Sequence, residues 1–140
     1  SNPNSHSECS AEQAYEWTDG RALFCSGSPF EPVTYNRKTF VPRQGNNYFI
    51  FPGIGLGAIL SGCTGIPPEV LLLASHTVAD CVTDADLAQG SPSSFMRKIS
   101  HDIAVNVIRN AQKTGRCART DIPADLDQYV TDYMYSPEYR

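Results

Sequence analysis

Gly45-Asn46-Asn47-Tyr48-Phe49-Ile50-Phe51-Pro52-Gly53-Ile54-Gly55-Leu56-Gly57-Ala58-Ile59-Leu60-Ser61-Gly62 is the stretch on which the reading of this chain turns. Two adjacent amides open it, and an apolar run follows in which Gly53, Gly55, Gly57 and Ala58 stand at close spacing. From the residues alone, Gly53-x-Gly55-x-x-Ala58 after the strand-like Tyr48-Phe49-Ile50-Phe51 fits a dinucleotide fingerprint, whose glycines let backbone approach a pyrophosphate at a helix N-terminus. The context argues otherwise. Pro52 leaves no room for a normal strand-to-helix turn, no second βα unit follows, and no acidic residue clearly ends a second strand about 20 residues on. A buried helix whose glycines permit close packing needs none of that context.

Working outward, a chain of 140 residues, 41% of them hydrophobic, is long enough to bury the core of one ordinary domain. A net charge of -4 argues against a nucleic-acid or anionic-membrane partner, which needs a clustered basic surface. Five cysteines (Cys9, Cys25, Cys63, Cys81, Cys117) are odd in number and scattered without a CxxC pair, the pattern of reduced intracellular thiols. The longest apolar run, residues 48–60, is shorter than the roughly 20 residues of a membrane span, and the opening residues do not have the pattern of a secretory signal or transit segment, so none is expected among them. A soluble protein of the cytosol or an organelle matrix is expected. The first methionine is Met96, so Ser1 reads as the start of a processed chain or of a piece of something longer.

Along the chain, Asn2-Pro3-Asn4-Ser5 is a turn signature, and Ser10-Ala11-Glu12-Gln13 is a capping box opening a short helix that Gly20 closes as its C′ residue. Arg21-Ala22-Leu23-Phe24-Cys25 suits a buried strand feeding the loop Ser26-Gly27-Ser28-Pro29. Val33-Thr34-Tyr35 and Lys38-Thr39-Phe40-Val41 form a hairpin through Asn36-Arg37, where a type I′ turn would prefer glycine second. Pro67-Pro68-Glu69 starts a helix with Val70, Leu73, Ala74 and Cys81 on its apolar face, and residues 84–90 form a short helical turn. Met96, Ile99, Ile103, Val107 and Ala111 mark the clearest helix, stopped by Gly115, with its partner face elsewhere in the protein. Residues 123–134 make the last helix, with Leu126, Val130 and Tyr133 or Met134 inward. A few strands followed by one-sided helices point to an α/β fold, truncated rather than complete.

The wording of the chain then carries a resemblance. Ser1-Asn2-Pro3, Glu8-Cys9-Ser10-Ala11-Glu12, Gly20-Arg21-Ala22, Ser26-Gly27-Ser28-Pro29-Phe30, Phe40-Val41-Pro42, Gln44-Gly45-Asn46-Asn47, Phe51-Pro52-Gly53 and Met134-Tyr135-Ser136-Pro137-Glu138-Tyr139 closely resemble the C-terminal portion of malic enzymes, most of all the plant and bacterial-like NADP-dependent members. The resemblance covers almost the whole chain. It implies the C-terminal part of a Rossmann-like NAD(P)-binding domain, with residues 1–45 ending the NAD(P)-binding region and residues 46–140 forming the helical part of the same unit. The true dinucleotide fingerprint would lie upstream, in agreement with the packing role of the glycines.

By that resemblance the parent oxidises L-malate with NAD or NADP and releases carbon dioxide to leave pyruvate, aided by Mg2+ or Mn2+. A metal bridging the 2-hydroxyl and carboxylate would polarise the carbonyl formed by hydride loss. The base, acid and acidic metal ligands would all precede this segment, so the chain alone is expected to be inactive, with no catalytic and no metal-binding residue of its own. Its own share is substrate binding by Asn2, Asn46 and Asn47, with Asn2 and Asn47 also on the cofactor side. An amide offers donor and acceptor without charge, which suits orienting a carboxylate or a carboxamide; turn and helix-cap roles are the structural alternative. The parent is expected to be a homodimer or homotetramer that takes malate as its small-molecule partner.

Other groups read as structural. Ser26 and Ser28 lack a Gly-x-Ser-x-Gly frame and a placed base. His6, His76 and His101 have no metal spacing, and Asp80, Asp84 and Asp86 look like a solvated patch. Two departures from the family pattern touch the loops: Arg43 stands where glycine is usual, and Gly90-Ser91-Pro92-Ser93-Ser94-Phe95 lacks the usual Tyr-Pro element. Two other functions stay open at this level: a non-catalytic module docking on intact malic enzyme subunits through exposed apolar helix faces, and a standalone nucleotide binder using Gly53-x-Gly55.

Overall fold

The computed structural model describes residues 3–83 and 96–136. They divide into two compact units, Ser1–Asn47 and Tyr48–Arg140.

The first unit opens with a 3-10 turn, Asn4–His6, and the helix α1, Ala11–Trp17. The capping box is present in both halves: the Ser10 hydroxyl accepts from the Gln13 amide at 3.1 Å, and the Gln13 side chain accepts from the Ser10 amide at 2.9 Å. At the other end the left-handed C′ residue is Asp19 (φ 51), one position before the expected glycine. Gly20 (φ 72) follows as C″, its N–H bonding back to the Tyr15 carbonyl at 2.8 Å in a Schellman closure. Asp tolerates this conformation better than most non-glycine residues.

Strands β2, Val33–Tyr35, and β3, Lys38–Phe40, pair antiparallel as the predicted hairpin. Both turn residues take positive φ, Asn36 at 48 and Arg37 at 63, as a type I′ turn demands. Tyr15 from α1 is buried and stacks on Phe40 at 4.4 Å between ring centroids, which seats the helix on the hairpin. The expected buried strand over residues 21–25 is corrected. Only Cys25–Ser26, β1, is strand, it pairs parallel with β4, Arg43–Gln44, and Leu23 is 101% exposed. A run apolar on both faces is the pattern of a strand covered on both sides, whereas among the described residues of this unit β1 has one neighbour, β4, and Leu23 has no cover.

The second unit is helical: α2, Phe51–Ser61; α3, Pro68–Cys81; α4, Met96–Lys113; α5, Leu126–Tyr133. The strand-like residues 48–51 instead form the 3-10 turn Asn47–Phe49 and enter α2, with Pro52 in its first turn, where the missing N–H is harmless. Gly62 (φ 58) ends α2. The partner of α4, expected elsewhere in the protein, is this same unit. Ile99, Ile103 and Val107 pack with Ile54, Val70 and Ala74, while Ala104, Val105 and Ile108 pack with Leu60, Leu126 and Val130. A spacing that reads as one stripe thus serves two faces, because α4 runs between α2, α3 and α5. Each fully buried aliphatic side chain here is worth about 1.5–3 kcal/mol.

The last helix is shorter than expected. Asp125 caps it by accepting from the Gln128 amide at 3.0 Å, so residues 123–125 lie ahead of it, and of the two inward candidates Met134 packs on the core while Tyr133 is exposed. The predicted turn over residues 84–90, the loop 90–95 and the tail from 137 lie outside the described residues.

Candidate functional site

Gly53 and Gly57 decide what the central run does. A Cβ on Gly53 would sit 2.6 Å from the Ile103 Cβ and 2.7 Å from the Ser100 carbonyl oxygen; one on Gly57 would sit 2.7 Å from the Val107 Cβ and 2.8 Å from the Ala104 carbonyl oxygen. These glycines are the contact between α2 and α4, and Gly55, on the opposite side, faces open space. The space a pyrophosphate would need beside Gly53 is filled by α4, which is the close packing expected of a buried helix and leaves the fingerprint no room at its first glycine.

Polar geometry gathers instead at the carboxyl ends of the parallel strands β1 and β4. The Gly45 amide donates to the Ser26 carbonyl at 2.8 Å, and the Gln44 side-chain amide donates to the Gly27 carbonyl at 3.0 Å, tying the loop after β1 to the end of β4. The Asn4 amide donates to the Pro29 carbonyl at 2.9 Å, drawing the N-terminal turn onto the same loop. An open hollow of about 340 Å³ lies along these segments, lined by Ser7, Cys9, Cys25, Ser26, Gly27 and Gly45 among others. Its floor is tight: a Cβ on Gly45 would meet the Cys25 Sγ at 2.8 Å.

Asn46, half-buried, and Asn47, exposed, follow the end of β4 after the single residue Gly45. Asn2 lies outside the described residues; two positions on, Asn4 carries the tether to Pro29. Ser28 is buried at 9% exposure, and its loop is strapped at Gly27 and Pro29, in line with a structural role. Arg43, in β4, has one terminal guanidinium nitrogen buried without a hydrogen-bond partner among the described residues. Burial pushes the Tyr15 hydroxyl above its ordinary pKa, and the Arg43 cation opposes that rise.

No group of three or more His, Cys, Asp or Glu among the described residues is disposed to hold a metal ion. His6 and His76 are exposed, Asp80 is exposed on α3, and Asp84 and Asp86 lie outside the described residues. His101 is held between the Asp102 carboxylate at 3.0 Å and the Asp127 carbonyl at 3.1 Å. Asp102 also accepts from Lys98 and from the Cys81 thiol, the latter at 3.6 Å. Burial alone would raise the Asp102 carboxyl, but the bonds from Lys98 and His101 together hold it below the ordinary carboxylate value. Burial pushes the Cys81 thiol above its ordinary pKa, and the nearby Lys98 cation opposes that rise.

Asn4 and Gln44 tie down the loop after β1, a part for which neither was singled out in the sequence. Gln44 stood inside the motif that singled out Asn46 and Asn47, so its place there was the available signal; Asn4 to Pro29 is a long-range bond that no spacing rule announces. No helix among the described residues is long and apolar enough to cross a membrane.

Residues 1–112 match the family model for the malic enzyme NAD-binding domain. The chain is 50% identical to a chloroplastic NADP-dependent malic enzyme of Oryza sativa subsp. japonica, 51% to an NADP-dependent malic enzyme of Vitis vinifera and 50% to a chloroplastic one of Zea mays. Each alignment takes in all of this chain and 22%, 24% and 22% of the relative respectively, so the chain spans less than a quarter of their length. The strand ends carrying Asn46 and Asn47, and the glycine face of α2 against α4, are thus parts of a Rossmann-like α/β fold, and the chain belongs to the malic enzyme NAD-binding domain family.

Proposed function

We propose that this chain is the segment of a malic enzyme that orients substrate and nicotinamide through Asn2, Asn46 and Asn47, in a parent that converts L-malate to pyruvate and carbon dioxide while reducing NAD or NADP. The observation that carries the reading is the exit of Asn46-Asn47 from the carboxyl end of the parallel pair β1/β4, beside a loop strapped by Gln44 and Asn4. Open α/β sheets bind ligands at that end of their strands. The nicotinamide cofactor would supply hydride acceptance. Asn47 and Asn2 would hold its carboxamide region, and Asn46 and Asn47 the malate carboxylate, each amide using its N–H or its oxygen as the partner requires.

The described residues offer no group of His, Cys, Asp or Glu that fits a divalent metal, so Mg2+ or Mn2+ would be bound by acidic residues outside this chain. The segment would also lack the base, the acid and the phosphate-binding glycines, since Gly53 and Gly57 are spent on packing. The isolated chain would therefore not turn over. Exposed Leu23, Ile59 and Leu72 fit a segment whose apolar faces the rest of a subunit covers, in a parent homodimer or homotetramer of the cytosol or an organelle matrix. The same faces suit the second reading, a non-catalytic module docking on intact subunits. Incubating the purified chain with malate, NADP and Mg2+ is expected to give no NADPH; sustained NADPH formation would overturn the assignment of roles. Co-purification with an intact subunit, without gain of activity, would favour the docking module.

A further inference from the structure

Cys63 and Cys117 are far apart in sequence, yet they are directly opposed on an isolated antiparallel bridge that joins the segment after α2 to the segment after α4. The Thr64 amide donates to the Arg116 carbonyl at 3.1 Å and the Arg119 amide to the Ser61 carbonyl at 3.2 Å, so hydrogen bonds flank the pair on both sides. Directly opposed residues of such a bridge have Cα atoms about 4.5–5.5 Å apart and side chains on one face. That separation lies inside the range of roughly 4.4–6.8 Å that a disulfide spans. Both residues are half-buried and both thiols are free. The Cys63 thiol donates to the Gly65 carbonyl at 2.9 Å, at an exposed position, and the Cys117 thiol to the Ser61 and Arg119 carbonyls at 3.3 Å each, in a part-buried one.

We propose that Cys63 and Cys117 are a redox-responsive dithiol whose oxidation clamps the end of α2 to the segment following α4. The oxidant is a small-molecule disulfide such as oxidised glutathione. The Cys63 sulfur, as thiolate after losing its proton to solvent, attacks one sulfur of the oxidant and expels one thiolate, leaving a mixed disulfide. The Cys117 thiolate then attacks the Cys63 sulfur and expels the second. Two protein thiols are oxidised, one disulfide is reduced to two thiols, and the two protons lost by the protein end on them. Cys63 is the first attacker because its thiol gives up one bond, in an exposed setting, whereas the Cys117 thiol gives up two in a part-buried one; Cys117 resolves. Oxidation gives up the thiol bonds to three carbonyls and closes a long loop across the core of the helical unit, which restricts the unfolded chain.

The test treats the protein with oxidised glutathione, blocks remaining thiols by alkylation and maps the peptides by mass spectrometry, with thermal unfolding followed in parallel. The expected result is a Cys63–Cys117 linkage, reversed by dithiothreitol, and a melting temperature about 10 °C higher in the oxidised form. In Cys117→Ser the expected product is a stable glutathione adduct on Cys63 with no oxidation-dependent rise. Failure of the native chain to form the linkage, or a bridge from Cys117 to Cys81 in its place, would overturn the proposal without any variant being made.

Discussion

Replacing Gly57 with alanine should separate the packing role of the glycine run from every other role. The new methyl would lie 2.7 Å from the Val107 Cβ and 2.8 Å from the Ala104 carbonyl oxygen, where carbon neighbours sit comfortably at about 3.5–4.0 Å. Relief requires α2 and α4 to part by about 1 Å, and backbone on one side cannot rotate away. Overpacking of this kind costs about 1–3 kcal/mol, and a separation felt along the whole interface of Ile54 and Leu60 places the cost at or above the upper end. Gaining alanine inside a helix returns about 1 kcal/mol, so a net loss of about 2 kcal/mol is expected. Gly55→Ala is the internal control: its Cβ meets nothing within 4 Å, and the same helix gain makes it stabilising by about 0.5–1 kcal/mol. Urea unfolding followed by far-ultraviolet circular dichroism reads both. Equal midpoints for Gly57→Ala and Gly55→Ala would refute the close-packed interface.

Three other outcomes follow from the same contacts. Arg37→Gly should stabilise the protein by about 1 kcal/mol, because glycine takes the second turn position (φ 63) without the left-handed penalty; an unchanged or lower melting temperature would contradict the turn. Ser10→Ala should cost about 1 kcal/mol by leaving the Gln13 amide uncapped, as read by thermal unfolding. The Asp102 carboxyl is depressed in the folded state, so its contribution is fully present above its unfolded value and is lost as pH falls through the folded one. Acid unfolding of Asp102→Asn should therefore show a stability deficit of about 0.5–1 kcal/mol at neutral pH that closes in acid, small because Lys98 is exposed; a pH-independent deficit would place the loss in packing instead.

Local rules carried well where their cause was local. The capping box of α1, the Asn36-Arg37 hairpin and the stripe on α4 each rest on interactions within a few residues, so spacing announced them. What failed depended on neighbours distant in the chain. Residues 48–51 have strand composition, yet they feed a helix because Gly53 and Gly57 gain a close contact with α4 there. Residues 21–25 read as a buried strand, and Leu23 is bare because the strand pairing begins only at Cys25. The opposition of Cys63 to Cys117 and the tether from Asn4 to Pro29 are tertiary, invisible to any periodicity. At the candidate site the amides Asn46 and Asn47 stood out through their motif, while their setting, the carboxyl end of a parallel pair, needed coordinates.

The most direct measurement grafts this chain into the Zea mays chloroplastic enzyme in place of the matched segment, where the two are 50% identical, and follows malate-dependent NADPH formation. The graft is expected to be active, and Asn46→Ala or Asn47→Ala within it to lower kcat/KM for malate by about 100-fold or more, the loss expected when a hydrogen bond to a charged substrate group leaves about 2.7 kcal/mol unmade. An active graft whose kinetics are indifferent to both substitutions would contradict the role assigned to the amides.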